Sequence, residues 1–310
     1  MVTRRFRMPG RMFLTAIAAA GLLLLACSNR SSEQTTDAPR QDLESVADEG
    51  SIEDLYAAAR AQASAETTTI EDINEALRPH DRVYKPEGAG RFPTMLFFHG
   101  CSGPTRSHEE DWAAFYNSIG VAVIAVDSFA GRGIAWEEAC NLQVMTAWER
   151  AGDVLATLRY ARSLDFVDAE HLGATGFSHG AWTIWTALAL ASTATPPINL
   201  ERWPDDGLDG LKLALPFYGG CYERWTVSVR TIAFLAEADR YIDEQSCVQF
   251  ANRNPELATV FSYHVFSGAT HTFDHATPNL ANVEAGSVYD GAAVAEAKRM
   301  ISAAIDTHMR

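Results

Sequence analysis

Along the 310-residue chain, short runs of consecutive apolar residues alternate with longer stretches in which apolar residues recur every three or four positions. The first pattern suits strands buried on both faces of a sheet, and the second suits helices that lay one face on it. Candidate strands are Thr94–Phe98, Val121–Val126, Leu172–Thr175, Leu211–Phe217, Thr231–Leu235 and Val260–Val265. The clearest helix runs from Val144 to Ala161, with Val144, Trp148, Ala151, Leu155, Leu158 and Ala161 on one stripe. A last helix starts near Asp290, an N-cap candidate, and carries Val294, Ala297, Ile301, Ala304 and Ile305 on its apolar face. Ile52–Ala63 reads as an amphipathic helix without an assigned role. Ser192–Gly210 reads as a surface loop, with a border of the substrate pocket as the alternative. This alternation predicts an α/β fold, a mostly parallel, doubly wound sheet with helices on both faces and the site at the C-terminal ends of its strands.

The pattern differs at the N-terminus. Arg4, Arg5, Arg7 and Arg11 precede an apolar stretch from Met12 to Ala26, shorter than the roughly 20 residues that span a bilayer, and the whole reads as a secretory signal. Leu24-Leu25-Ala26-Cys27 resembles a bacterial lipobox, which implies cleavage before Cys27 and a diacylglyceryl group on its thiol; an ordinary secretory signal is the alternative. Thr3-Arg4-Arg5 resembles a twin-arginine start that Phe6-Arg7-Met8 does not continue, so the export route stays open. The expected organisation is a signal over 1–26, a flexible tether over 27–49 rich in Ser, Thr, Gln, Asp and Glu, and one domain over 50–310. The expected location is the bacterial cell envelope, facing the periplasm or the exterior, with the membrane as a partner through Cys27.

The formal net charge is −15, and four units more negative without the signal arginines, which argues against nucleic acid as a partner. Beyond Cys27 the cysteines are Cys101, Cys140, Cys221 and Cys247, an even number that suits disulfides in an exported chain. Four cysteines allow three pairings, and sequence alone does not choose among them. Cys101–Cys140 with Cys221–Cys247 is preferred, because each pair links a loop after one strand to a loop after the next. No Cys-x-x-Cys or close Cys/His pairing supports the zinc alternative.

Gly176-Phe177-Ser178-His179-Gly180 stands between a strand-like and a helix-like run, as a nucleophile elbow does. A serine hydroxyl is a poor nucleophile at neutral pH and needs a sharp turn that exposes it to a base and to backbone donors. A glycine-rich turn with an incidental serine is the alternative. The order nucleophile, acid, base is completed by Asp239, after the strand Thr231–Leu235, and His271, after Val260–Val265. His271 would take the Ser178 proton and Asp239 would orient the imidazole. His264 and His275 rival His271, while Glu237 and Asp243 rival Asp239. In Phe98-His99-Gly100-Cys101 a strand enters a glycine-bearing loop, so the backbone amides of Cys101 and His179 are the candidate oxyanion donors. A disulfide at Cys101 would exclude its thiol as nucleophile.

Taken together, Phe98-His99-Gly100-Cys101-Ser102-Gly103, Val126-Asp127-Ser128-Phe129-Ala130-Gly131-Arg132-Gly133, the Ser178 elbow, Glu237-Ala238-Asp239 and Ser267-Gly268-Ala269-Thr270-His271-Thr272-Phe273 resemble the dienelactone hydrolase family of the α/β-hydrolase superfamily, in particular its exported serine-containing relatives. The resemblance spans about Pro93 to His275 and implies an α/β-hydrolase fold, a Ser178–His271–Asp239 triad and hydrolysis of a small-molecule carboxylic ester without metal or organic cofactor. The namesake enzymes carry cysteine where this chain has Ser178, so the dienelactone substrate does not transfer. Asp127 and Arg132 are expected to organise the loop through an ion pair, or to contact a substrate carboxylate. A non-catalytic envelope binding protein, or a peptidase or acyltransferase on the same triad, are the alternatives. A metal centre on His271 and His275 lacks the helical His-Glu-x-x-His spacing, and no Walker-type or dinucleotide fingerprint occurs. Trp136, Trp182, Trp185, Trp203 and Trp225 are candidates for an aromatic pocket wall, although tryptophans in such a domain mostly serve packing.

Overall fold

The computed structural model describes residues 67–278, 282–283 and 286–310. The expected signal, the tether, Cys27 and the helix at Ile52–Ala63 lie outside the described residues. Seven strands form one sheet: β1 (Arg82–Tyr84), β2 (Phe92–Phe98), β3 (Ala122–Val126), β4 (Val167–Phe177), β5 (Leu211–Phe217), β6 (Arg230–Ala236) and β7 (Phe261–Phe266). Their order is β1-β3-β2-β4-β5-β6-β7, with β1 antiparallel to β3 and every other pair parallel. The chain leaves β2 outward to β3 and returns across it to β4. The C-terminal ends of β2 and β4 are therefore a topological switch point, where loops diverge and leave a crevice.

Successive side chains of each strand enter opposite layers, which explains why the runs are continuously apolar. Leu96, Phe98, Ile124 and Val126 face a layer built by α1 (Ile70–Leu77), α4 (Ala147–Arg162), α5 (His179–Ala191) and α6 (Gln245–Arg253). Met95, Phe97, Val123 and Ala125 face α2 (Arg106–Ser118) and α7 (Gly291–His308). A short α3 (Trp136–Cys140) lies in the β3–α4 connection. Asp290 does cap α7, accepting from the amides of Ala292 and Ala293, and the Val294 to Ile305 stripe is buried.

The central strands match the sequence reading to within a few residues, and other elements differ from it. β4 begins at Val167, because its first half carries Asp168, Glu170 and His171 and lacks an apolar run. Helix α4 begins at Ala147, where Thr146 and Glu149 form a capping box. Val144 is outside it, packed near Phe129, Ala139 and Met145. The 192–210 excursion rests on α4 and on the segment just before α1: Ile198 N donates to Trp148 O, and Thr68 N to Asn199 O.

Candidate active site

The end of β4 and the start of α5 place Ser178. Its backbone has φ 53° and ψ −114°, a strained conformation for a residue with a side chain. Ser178 N donates to Phe217 O on β5, and Ser178 O accepts from Trp182 N in the first turn of α5. Both flanking glycines are sterically required. A Cβ on Gly180 would lie 2.2 Å from Phe98 O, and one on Gly176 would lie 2.3 Å from Gly180 O. The elbow is thus pressed against the end of β2.

His271 and Asp239 arrive on the loops after β7 and β6, tied together by Ala238 N donating to Ala269 O. The Ser178 hydroxyl donates to His271 Nε2 at 3.1 Å, and His271 Nδ1–H donates to Asp239 Oδ2 at 2.7 Å. The second Asp239 oxygen accepts from the amides of Tyr241 and Ile242, so the carboxylate is fixed from both sides. The rivals stand elsewhere. Glu237 accepts from Ser267 Oγ and Gly268 N, Asp243 accepts from Gln245 N, His264 lies within β7, and His275 stacks on His108.

The donor loop after β2 is fixed as tightly. His99 Nδ1–H donates to Gly100 O at 2.7 Å, and Gly103 N donates to the same oxygen, so the peptide that carries Cys101 N–H is held in place. His179 is the first residue of α5, and its N–H has no intrahelical acceptor. Two disulfides are present among the described residues. Cys101–Cys140 ties the donor loop to α3, and Cys221–Cys247 ties the loop after β5 to α6. The pairing is the preferred one, and the Cys101 sulfur is not a free thiol.

The ion pair expected between Asp127 and Arg132 does not form. Asp127 Oδ1 instead accepts from the amides of Phe129 and Ala130, closing the turn that follows β3. Arg132 makes a bidentate pair with Asp153 of α4, a buried carboxylate whose geometry suits the guanidinium fork. Of the tryptophans, Trp185 and Trp225 are core residues in T-shaped contact, and Trp136 is exposed.

Two of the buried polar groups that the sequence analysis does not contain border the site. Asp274 accepts from Tyr218 Oη, Trp112 Nε1 and His108, behind a Tyr218 ring that packs on His271. Burial would raise the Asp274 pKa, but the adjacent His108 and these hydrogen bonds hold it well below the usual range. Nothing in the sequence signals the network, because His108 lies 166 positions away. His108, Asp274 and His275 carry ligand-type atoms close together. The two imidazoles stack with centroids 3.7 Å apart, so their in-plane lone pairs do not converge on one point, and Asp274 already serves three donors. The second group is Arg150, fully buried on α4 with Nη1 donating to His99 O and to His179 Nδ1. Its signal was a lone arginine three residues after Ala147 and four before Val154, both core positions.

Burial and the nearby Arg150 charge lower the His179 pKa to about 3, so its imidazole is neutral. Burial raises the Glu223 carboxyl to about 7, against the smaller opposing effect of the Trp182 and Thr186 side chains. A carboxyl raised in the folded state contributes stability below its ordinary pKa and loses it as pH climbs through the folded value. Glu223→Gln is therefore expected to match the parent near pH 4.5 and to be more stable at pH 8 by about 2–3 kcal/mol. Urea midpoints at the two pH values check this, and parallel pH profiles would contradict it.

No protein-family model matches the chain, and no curated protein matches it significantly in sequence. Solved structures do match in shape. Esterase 2 of Thermogutta terrifontis, phosphoramylated by tabun, aligns over 73% of this chain and 88% of its own with a TM-score of 0.57 and 14% identity. A protein assigned as a dienelactone hydrolase from Klebsiella pneumoniae aligns over 72% and 90%, with a TM-score of 0.54 and 16% identity. The butyrate-bound T. terrifontis esterase aligns over 73% and 88%, with a TM-score of 0.52 and 14% identity. The chain has the α/β-hydrolase fold.

Proposed function

We propose that this protein is a serine hydrolase of the dienelactone hydrolase-like type that cleaves carboxylic esters through an acyl-enzyme intermediate. The observation that carries the reading is the hydrogen-bonded line Ser178–His271–Asp239 beside a fixed donor loop. Ser178 Oγ attacks the ester carbonyl carbon as its proton passes to His271 Nε2, while Asp239 orients and stabilises the imidazolium. The carbonyl oxygen becomes an oxyanion facing Cys101 N–H and His179 N–H. The tetrahedral adduct collapses, the C–O bond to the leaving alcohol breaks, and that alcohol takes the proton from His271. Water then repeats the sequence on the acyl-serine and releases the acid.

Several features support this reading. The strained Ser178 backbone is a conformation that proteins hold where a site needs it. The similar folds include an esterase bound to butyrate and one phosphoramylated by tabun. A fluorophosphonate probe is expected to add one phosphonyl group to the Ser178 peptide, and p-nitrophenyl esters from acetate to decanoate to be hydrolysed with a chain-length profile that sizes the acyl pocket. A folded protein that neither labels nor turns over any of these esters would replace this reading with the binding-protein one.

A further inference from the structure

Arg150 is a cation at 0% exposure whose hydrogen-bond acceptors among the described residues are all neutral. Nε donates to Ser128 Oγ at 2.9 Å, and Nη1 donates to His99 O at 2.8 Å and His179 Nδ1 at 3.0 Å. Nη2 has no partner, and the guanidinium lies 5.5 Å from the Phe129 ring. Asp153, the stronger of the two acidic influences on Arg150, is engaged at both oxygens by Arg132. Burial lowers the Arg150 pKa to about 10, so the group is still charged at neutral pH. Burying a guanidinium without a paired carboxylate is costly, and a well-packed apolar residue is usually the cheaper solution.

Its contacts give a reason for keeping it. His99 is the residue whose imidazole holds the Gly100–Cys101 peptide, and His179 carries the other candidate oxyanion amide. The Ser128 amide holds His99 Nε2 while the Ser128 hydroxyl holds Arg150. One guanidinium therefore joins both donor segments and the turn that braces them. We propose that Arg150 is the positioning residue of the oxyanion hole, clamping the Cys101 and His179 segments together and setting beside them a buried positive charge that is matched when the tetrahedral oxyanion forms. The proposal rests on the serine-hydrolase reading. A preorganised charge in a low-dielectric site favours the anionic transition state over the neutral substrate, so its loss falls on kcat and spares KM.

The test compares Arg150→Met and Arg150→Lys with the parent protein, using kcat and KM for p-nitrophenyl butyrate and Ki for an alkyl trifluoromethyl ketone, which forms an anionic adduct with serine. If the parent neither hydrolyses the ester nor binds the ketone, the hydrolase reading fails and the proposal with it. With an active parent, Arg150→Met is expected to lower kcat about 100-fold, raise the ketone Ki by the same factor and leave KM within about threefold. Arg150→Lys, which keeps the charge without the fork, is expected to recover about tenfold of both. Equal losses in KM and Ki, values within threefold of the parent, or no recovery by lysine would overturn the proposal. Should Arg150→Met not fold, Ser128→Ala decides: kcat falling about fivefold with a matching rise in Ki and constant KM supports it, and unchanged kcat overturns it.

Discussion

Ser178→Ala is expected to lower kcat/KM for the preferred p-nitrophenyl ester by on the order of 10⁴–10⁶-fold and to abolish fluorophosphonate labelling. The size of the effect follows from the geometry. His271 has one hydroxyl to activate, at 3.1 Å, and its other nitrogen is committed to Asp239 at 2.7 Å. Without the hydroxyl, base and acid have nothing to act upon, and the turnover left over comes from the donor amides and substrate binding alone. Residues that act as a unit are strongly non-additive. The double variant Ser178→Ala/His271→Ala is thus expected to be no slower than Ser178→Ala. The fold should survive, and Ser178→Gly should be more stable than Ser178→Ala by about 1 kcal/mol, because glycine tolerates φ 53°. Ester turnover within tenfold of the parent in Ser178→Ala would assign the chemistry to another group.

The second large effect is structural. Gly180→Ala is expected to cost about 3–5 kcal/mol of stability and most of the labelling rate. The added methyl would sit 2.2 Å from Phe98 O and 2.7 Å from His99 O, and neither main-chain atom can turn aside as a side chain would. Relief requires α5 to move off the end of β2, which separates the His179 amide from the Cys101 loop. Gly268→Ala is the control. Its φ is +71° but nothing lies within 4 Å of the new Cβ, so only backbone strain of about 1 kcal/mol is expected. Denaturant midpoints for the two variants separate the contributions. A Gly180→Ala protein within 1 kcal/mol of the parent would show that the elbow tolerates separation from β2.

The legible parts of the chain were those where local pattern and final environment agree. Strands buried on both faces announce themselves as apolar runs, and Ser178, Asp239 and His271 each follow such a run. Edge strand β1 is three residues long, with Val83 exposed, and offers no periodicity to read. Helix α2 buries His108 and Glu109 beside Trp112 and Tyr116, so its core face looks polar in the sequence. Glu109 is paired there with Arg82 of β1, a partner 27 positions away. The turn that carries Asp127 and Arg132 is legible in the sequence but the partner of Arg132 is not, because Asp153 enters from a helix whose rotation the sequence does not fix. Arg150 and Asp274 share that origin: their partners come from distant elements, and no local spacing encodes them.

The glycine contacts also bear on how the sheet finds its alignment. A strand apolar on both faces carries no in-or-out code, so sliding β2 by one residue would exchange Met95 and Phe97 for Leu96 and Phe98 at little hydrophobic cost. Shape must supply the missing information. Met95 pairs with Gly173, where a Cβ would come within 2.7 Å of its side chain, and Phe98 pairs with Gly176 beside the notch left by Gly180. A slip of one residue would take Met95 away from the space that Gly173 leaves for its side chain. Gly173 therefore favours the register in which Met95 lies opposite it, and in that register Ser178, at the end of β4, is already aligned with the loop that leaves β2.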